Sequence, residues 1–190
     1  WEVFENEPMA QGGCIWDWVD QSFREVDKDG KWYWTYGGDY GPKDVPSFGN
    51  FCCNGLVNAV REPHPHLLEV KKIYQNIKST LIDKKNLTVR VKNWFDFSDL
   101  NEYILHWKVT GDDGTVLAEG NKEVACEPHA TVELTLGAVQ LPKTIREAYL
   151  DLGWTRKKST PLVDTAWEIA YDQFVLPASG KVWNGKPSEA

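Results

Sequence analysis

Four acidic side chains stand among the aromatic residues of the N-terminal quarter, and their type suits acid–base chemistry. They are Asp17, Asp20, Glu25 and Asp39. Hydrolysis of a glycosidic bond needs two carboxylates about 5–9.5 Å apart, and nothing in the spacing of these four singles out a pair. Asp17 lies between two tryptophans, where loss of solvent would raise its pKa and favour proton transfer. The alternative is a structural carboxylate that accepts backbone hydrogen bonds.

Large aromatic side chains are concentrated in the same region. The whole chain has ten tryptophans. The C–H faces of sugar rings stack on such flat surfaces, so a cluster of aromatic rings predicts contact with carbohydrate. Core packing is the alternative interpretation for any one of them. The cluster consists of Trp16, Trp18, Trp32, Trp34, Tyr36 and Tyr40.

Other kinds of site are not supported by the sequence. The four histidines have no spacing typical of a metal-ligand set, and neither a Ser/His/Asp arrangement nor a phosphate-binding glycine loop is present. The net charge of −7 argues against nucleic acid and anionic membranes as partners. No apolar run reaches the ~20 residues that span a bilayer. The four cysteines are predicted to be buried free thiols that act as small hydrophobic residues, which favours a reducing environment without assigning a compartment: Cys14, Cys52, Cys53 and Cys126.

Two patterns of hydrophobic periodicity meet near residue 80. Before it, the apolar run Gly12–Val19 predicts a strand buried on both faces of a parallel sheet. A turn is predicted at Asp27–Lys31, and a long loop rich in glycine and aromatic residues covers Trp32–Asn54. Leu67, Val70, Ile73, Tyr74 and Ile77 then recur at three- and four-residue spacing, which predicts an amphipathic helix over residues 66–77.

After residue 80 apolar and polar residues alternate, which indicates half-buried strands. Asp112-Asp113-Gly114 predicts a hairpin turn. Short alternating strands over about a hundred residues are typical of an antiparallel β-sandwich. Near the C-terminus, Gly185–Ser188 is typical of a linker. The predicted strands cover residues 87–91, 103–109, 115–119, 131–136, 148–154 and 167–176.

Several blocks of the sequence, in this order and with similar gaps, resemble the large β-galactosidases of glycoside hydrolase family 2. The first block includes the run GGCIWDWVDQS, and the last lies in the predicted sandwich. The blocks are Gly12–Ser22, Tyr36–Gly41, Phe51–Val57, Arg61–Pro65 and Leu105–Trp107.

The resemblance implies an α+β fragment of a longer enzyme. Residues 1–79 would be the C-terminal segment of a (β/α)8 TIM barrel, comprising a late helix, the last strand, its long loop and the last helix. Residues 80–190 would be the antiparallel immunoglobulin-like β-sandwich that follows. Active sites of such barrels lie at the C-terminal ends of the strands, which is where Trp16 would fall.

The resemblance also implies roles for three residues. Trp16 matches a tryptophan that forms a wall of the galactose pocket. The carbonyl of Phe51 and the side chain of Asn54 match two ligands of an active-site sodium ion. The catalytic glutamates, the Mg²⁺ ligands and the remaining Na⁺ ligand would precede Trp1, so no catalytic residue is expected in this chain and the chain alone is expected to be inactive.

The function implied is therefore part of a retaining β-galactosidase that hydrolyses terminal β-D-galactosides such as lactose. Two alternatives stay open: a carbohydrate-binding or interaction module built on the sandwich, and a related family 2 β-glucuronidase or β-mannosidase. The expected partners are the galactoside substrate, the remaining domains of the same polypeptide and a second copy in a homo-oligomer. The sequence assigns no cellular compartment.

Overall fold

The computed structural model describes residues 1–49 and 51–176. The chain divides into two compact units, one of residues Trp1–Tyr74 and one that starts at Gln75. This division falls before the domain boundary expected at residue 80, and that domain assignment stays a prediction. The linker predicted at Gly185–Ser188 lies outside the described residues. No helix in the described part of the chain is long and apolar enough to cross a membrane.

The first unit contains little regular structure. Helix α1 covers Glu2–Asn6, strands β1 and β2 cover Phe23–Val26 and Trp32–Thr35, and helix α2 covers His66–Tyr74. The two strands form an antiparallel hairpin.

The turn predicted at Asp27–Lys31 is confirmed as the connection of this hairpin. One carboxylate oxygen of Asp27 accepts the backbone N–H groups of Asp29 (2.9 Å) and Lys31 (2.8 Å). Gly30 adopts φ +79°, a backbone conformation that glycine reaches without steric cost.

The buried strand predicted over Gly12–Val19 is not present as such. Residues 12–18 have no strand assignment, and the side chains of Trp16 and Trp18 are 73% and 60% exposed. Only the end of the segment is paired in parallel: Val57 donates to the carbonyl of Trp18 (3.0 Å), and Val19 bridges to Val57. A parallel strand has two buried faces only when neighbouring strands and helices cover it. In the described part of the chain, the segment pairs in parallel with residues 54–57.

The carboxylate of Asp20 holds this parallel pair in place. Asp20 is 7% exposed, and its two oxygens accept a hydrogen bond from the backbone N–H of Gly55 (2.8 Å) and contact Nε2 of His64 (2.9 Å). His66 places its Nε2 2.9 Å from the carbonyl oxygen of Gly55. Both backbone polar groups of Gly55, the residue after Asn54, are therefore held in place. Asp20 binds the N–H, His66 contacts the carbonyl, and His64 contacts Asp20.

Gly55 is required by the closeness of the two backbones. A Cβ atom at this position would lie 2.3 Å from the backbone nitrogen of Asp20 and 2.6 Å from the carbonyl oxygen of Val57. Both neighbours are backbone atoms and cannot move aside as the end of a flexible side chain could.

The helix predicted over residues 66–77 is confirmed up to Tyr74, where α2 ends. Ile77 is fully buried and begins a strand instead. The spacing from Tyr74 to Ile77 matches a helical repeat, so the periodicity alone could not reveal the change.

The second unit consists of two antiparallel sheets that enclose one hydrophobic core. The three-stranded sheet has the order β3-β4-β7, and the four-stranded sheet has the order β6-β5-β8-β9. The strands are β3 Ile77–Asp83, β4 Thr88–Asn93, β5 Tyr103–Gly111, β6 Val116–Glu123, β7 Thr131–Thr135, β8 Ala148–Arg156 and β9 Glu168–Leu176.

The core takes side chains from both sheets. Alternate residues of each strand point inward, as the sequence pattern predicts, and they are almost completely removed from solvent. The inward set includes Ile77, Val89, Val91, Leu105, Val109, Leu150, Leu152 and Trp154.

All six strands predicted after residue 80 are present, with bounds that differ by a few residues. The hairpin at Asp112–Gly114 is also confirmed, with φ +83° at Gly114 and a hydrogen bond from Gly111 N–H to the Thr115 carbonyl (2.9 Å). Strand β3 was missed. The antiparallel sheets and the mostly-strand character are confirmed, whereas the barrel-end and immunoglobulin-like arrangement stays a prediction.

The edge of β3 is tied to β9 by a side chain. Asp172 accepts the backbone N–H of Ser79 through one carboxylate oxygen (2.8 Å). The Nε2 atom of Gln75 lies 3.5 Å from the other carboxylate oxygen of Asp172, and its Oε1 atom accepts the backbone N–H of Tyr171 (3.1 Å). Hydrogen bonds to charged groups are stronger than neutral ones, so these contacts join the two sheets at one side.

The burial predicted for the four cysteines is confirmed for Cys126 alone. Cys14 and Cys53 are exposed and Cys52 is half-buried, because the first unit covers few of its side chains.

The polar side chain of Asn93, in the second unit, is completely buried. Its amide nitrogen donates to the carbonyl oxygens of Ser98 and Cys126, both at 2.9 Å, and its Oδ1 accepts the backbone N–H of Phe95 (2.9 Å). The side chain therefore satisfies three backbone groups of the loops next to β4, where water cannot reach them.

We expect replacement of Gly55 by alanine to destabilise the first unit by about 1–3 kcal/mol or more, because the added Cβ would overlap two backbone atoms. Thermal unfolding followed by near-ultraviolet circular dichroism of the aromatic residues measures this. Gly37→Ala is the matched control, since a Cβ there meets nothing within 4 Å. Equal unfolding temperatures for the two variants would contradict the assigned backbone contact.

We expect Asn93→Ala to lower the free energy of unfolding of the second unit by about 3 kcal/mol, because it leaves buried carbonyl and N–H groups without partners. Urea denaturation followed by tryptophan fluorescence gives the value. Asn101→Ala, at an exposed position, should change it by less than about 0.5 kcal/mol. If both variants unfolded at the same urea concentration, the role of Asn93 would be wrong.

Candidate functional site

Two of the three residues with an expected role are brought to one place by the parallel pair of the first unit. Trp16 immediately precedes Asp17, whose backbone N–H donates to the carbonyl oxygen of Asn54 (2.9 Å). Gln21 N–H donates to the carbonyl of Cys52 (2.7 Å), so the segment that holds Phe51 returns to the end of the same strand-like stretch.

The Trp16 ring is available to a ligand. Its side chain is 73% exposed, and the next peptide bond, Trp16–Asp17, is cis. The backbone around the ring is held by the hydrogen bonds of Asp17 and Trp18 to residues 54–57. A flat aromatic face on a fixed backbone is what stacking against the C–H face of a sugar requires.

The side chain of Asn54 has unusual surroundings for a residue that is only partly buried. Both its Oδ1 and its Nδ2 are shielded from solvent, and neither has a hydrogen-bond partner within the described part of the chain. A buried amide oxygen without a partner costs free energy, and a cation would offset that cost. The chemistry of Asn54 therefore fits a ligand of a hard cation such as Na⁺, which prefers neutral or anionic oxygen donors.

Phe51 differs from Asn54 in its surroundings. Its side chain is 67% exposed and lines a cleft of about 680 Å³ in the first unit. Its backbone N–H donates to the carbonyl of Phe48 (3.4 Å). A carbonyl oxygen is a suitable cation ligand, so Phe51 fits the expected role by chemistry. The cleft is lined by Phe51, Asp20, Phe23, Tyr36, Phe48 and Arg61, among others.

The raised pKa predicted for Asp17 is wrong. A hydrogen bond from the side-chain amide of Gln21 (2.8 Å), together with one from the backbone N–H of Trp18 (2.6 Å), holds the pKa of Asp17 below its usual value. Asp17 is therefore ionised at neutral pH, and it loses its charge only when the pH falls through the lowered pKa. Its flanking tryptophans are largely exposed, and the loss of solvent that would raise the pKa of Asp17 is outweighed by these two hydrogen bonds.

The remaining three carboxylates also accept hydrogen bonds from the chain, which supports the structural interpretation. Asp20 binds Gly55 and His64, as described above. Glu25 accepts the hydroxyl of Tyr40 (3.0 Å), and Asp39 accepts the backbone N–H of Tyr36 (2.9 Å).

The loop that follows β2 is hydrogen-bonded to the β1–β2 hairpin through Tyr40. The Tyr40 hydroxyl lies 2.6 Å from the hydroxyl of Thr35 and donates to Glu25. The hydrogen bond to Thr35 lowers the pKa of Tyr40, but loss of solvent and the Glu25 carboxylate raise it by more, so its pKa lies above the ordinary value. The phenol stays protonated at neutral pH and keeps its hydrogen to donate. Trp32, by contrast, packs against Trp34 and under Arg24.

His64 and His66 are part of the framework of the site, which sequence reasoning missed. Their position on either side of Pro65, at a helix entrance, predicts capping or surface exposure, and His66 is exposed whereas His64 is half-buried. In the structure their rings stack 5.5 Å apart and their Nε2 atoms reach Asp20 and Gly55. No rule of spacing connects His64 with an aspartate 44 residues away.

Metal-binding side chains do not cluster in the described part of the chain. There, no group of three or more His, Cys, Asp or Glu side chains is arranged to hold a metal ion. The expectation that the Mg²⁺ ligands lie outside this chain stays a prediction.

The chain matches two known domain families. The family model described as "Glycosyl hydrolases family 2, TIM barrel domain" matches residues 1–79, and the model described as "Beta-galactosidase, domain 4" matches residues 89–177.

Among individual proteins, the β-galactosidase of Aeromonas hydrophila is 37% identical over 180 residues, and the β-galactosidase of Priestia megaterium is 39% identical over 180 residues. Each alignment covers 94% of this chain and 17% of the relative, so the chain spans about a sixth of the length of these relatives. The crystal structure of the Amycolatopsis orientalis exo-chitosanase aligns with 66% of this chain and 14% of its own, at 16% identity and a TM-score of 0.43, a likeness too low to support an argument.

The two domain models follow each other along the chain in the order that the sequence resemblance implies, and the identities extend across both units. The chain therefore belongs to the β-galactosidases of glycoside hydrolase family 2.

Proposed function

We propose that the chain supplies one side of the active site of a retaining β-galactosidase that hydrolyses terminal β-D-galactosides such as lactose. The observation that carries the proposal is the position of Trp16: an exposed ring on a backbone fixed beside Asn54, whose polar side-chain atoms are buried without a partner. A sugar has both apolar C–H faces and hydroxyl groups. Trp16 would contact a C–H face, and Asn54 would hold an ion that binds a hydroxyl group.

In this proposal Trp16 forms a wall of the galactose pocket. Stacking of a C–H face on an aromatic ring holds the sugar in one orientation without a charged contact. The fixed backbone at Asp17 matters because a ring that is already in position loses less conformational entropy when the sugar binds.

Asn54 and Phe51 would hold part of a sodium site. The Oδ1 of Asn54 and the carbonyl of Phe51 are neutral oxygen donors, and the ion would supply a positive charge that binds a sugar hydroxyl. The orphaned state of the Asn54 amide supports a ligand there. Asp20 acts as a positioning residue in this proposal, because it holds Gly55, the residue next to Asn54.

The covalent chemistry would be carried by glutamates outside this chain. Retaining glycosidases use one carboxylic acid and one nucleophilic carboxylate about 5–5.5 Å apart. The four carboxylates considered in the first unit accept hydrogen bonds from their own chain instead. Within the whole enzyme the chain would therefore contact and orient part of the substrate, and by itself it would not turn the substrate over.

The remaining domains of the same polypeptide are the proposed partners of the first unit, in addition to the galactoside, and a second copy could join them in a homo-oligomer. Residues 1–18 leave several large apolar side chains exposed. Extended patches of this kind usually mark contacts with other protein surfaces. The exposed set includes Trp1, Val3, Phe4, Met9, Ile15, Trp16 and Trp18.

A chimeric enzyme tests both roles. We would replace the matching segment of the Aeromonas hydrophila β-galactosidase by this chain and measure hydrolysis of a nitrophenyl β-D-galactoside, with the isolated chain as the inactive baseline. Trp16→Ala should raise KM about tenfold, because it removes roughly 1.4 kcal/mol of stacking. Asn54→Ala should remove the difference in rate between sodium and potassium buffers.

Matched controls make the result specific. Trp167→Ala and Asn101→Ala change residues of the same types in the second unit and should leave KM and the sodium dependence unchanged. An active chimera in which Trp16→Ala has no effect on KM would contradict the pocket wall, and retained sodium dependence in Asn54→Ala would contradict the ion site. Turnover or galactose binding by the isolated chain would favour an independent module.

A further inference from the structure

Two adjacent cysteines lie in the first unit, beside the cleft but without a role in the proposed hydrolase. The Sγ atoms of Cys52 and Cys53 are 3.8 Å apart, and neither residue is in a disulfide. Cys53 is exposed and Cys52 is half-buried and lines the cleft. The carbonyl of Cys52 accepts the backbone N–H of Gln21 (2.7 Å), so the pair is fixed at one end.

The separation of the two sulfur atoms suits a bridging atom better than a direct bond. A disulfide requires the sulfurs to approach to about 2.05 Å, and departures from its preferred geometry cost several kcal/mol. A single atom bonded to both sulfurs spans a wider gap. The pair therefore has the geometry of a chelating dithiol.

The number of ligands limits what this dithiol can hold. Zinc in structural sites takes four ligands. In the described part of the chain the two thiols belong to no group of three or more His, Cys, Asp or Glu side chains arranged around a metal. A trivalent arsenic atom that carries one organic substituent forms two further bonds. It can therefore bind both sulfur atoms and needs no other ligand from the protein.

We propose that Cys52 and Cys53 form a covalent binding site for a monosubstituted trivalent arsenical. An arsenoxide R–As=O reacts with both thiols: two S–H bonds and the As=O bond break, two As–S bonds form, and the two protons leave with the oxygen as one molecule of water. Arsenic stays trivalent and no oxidant is needed. Cys14 and Cys126 are single cysteines and can offer one As–S bond only, which an excess of a small thiol would displace.

Intact-mass spectrometry of the 190-residue chain tests the site, with phenylarsine oxide as the probe and excess glutathione present as a competing monothiol. We expect one adduct per chain, with loss of one water, that 2,3-dimercaptopropanol removes. Cys52→Ser and Cys53→Ser should each lower the fraction of adduct by about tenfold or more, because the second As–S bond is no longer intramolecular. Cys14→Ser, at another exposed position, should retain the adduct.

Three outcomes would overturn the proposal: no adduct in the presence of glutathione, an adduct that persists in Cys53→Ser, or loss of two mass units without arsenic, which would indicate a disulfide between the pair. Circular dichroism of each variant checks that the chain is folded, and Cys53→Ala gives a second substitution at the exposed position. The readout is a mass, so it succeeds or fails independently of the proposed galactosidase function.

Discussion

A carboxylate that is nearly removed from water must find hydrogen-bond donors within the protein, and Asp20 finds the backbone of Gly55 and the ring of His64. This requirement brings two distant segments of the first unit into backbone contact, which excludes any side chain at Gly55 and sets Asn54 beside Asp17. His66 then occupies the other side of the same peptide segment. The exposed ring of Trp16, the shielded amide of Asn54 and the paired thiols next to them all depend on this one buried charge.

The architecture of the second unit could be predicted from the sequence because each of its strands has one buried face. Alternation places Leu105 and Val109 on the core side of β5, and a shift by one residue would expose both. Strand β3 escaped prediction since Ile77 continues the helical spacing of α2. The prediction of a buried strand over Gly12–Val19 is wrong because an apolar run does not show whether neighbouring elements cover it.

The sequence names candidate residues for the site, whose roles stay predictions, but it does not reveal their contacts. The resemblance to a family indicated Trp16, Phe51 and Asn54, and the structure brings Trp16 and Asn54 to the same short parallel pair. The pKa of Asp17 could not be inferred from its neighbours in sequence, since Gln21 and the Trp18 backbone determine it. Contacts such as that of His64 with Asp20 depend on the path of the chain between them, which local patterns do not encode.

The bond from Ser79 to Asp172 has a consequence for the solubility of the second unit. Strand β3 is a terminal strand of the three-stranded sheet that the described residues form, and the unpaired N–H groups of such a strand are a template for another chain. The Asp172 carboxylate occupies the Ser79 donor and places a negative charge at the position where a foreign strand would align. The same side chain that links the two sheets thus makes one of their edges a poor surface for intermolecular β-pairing.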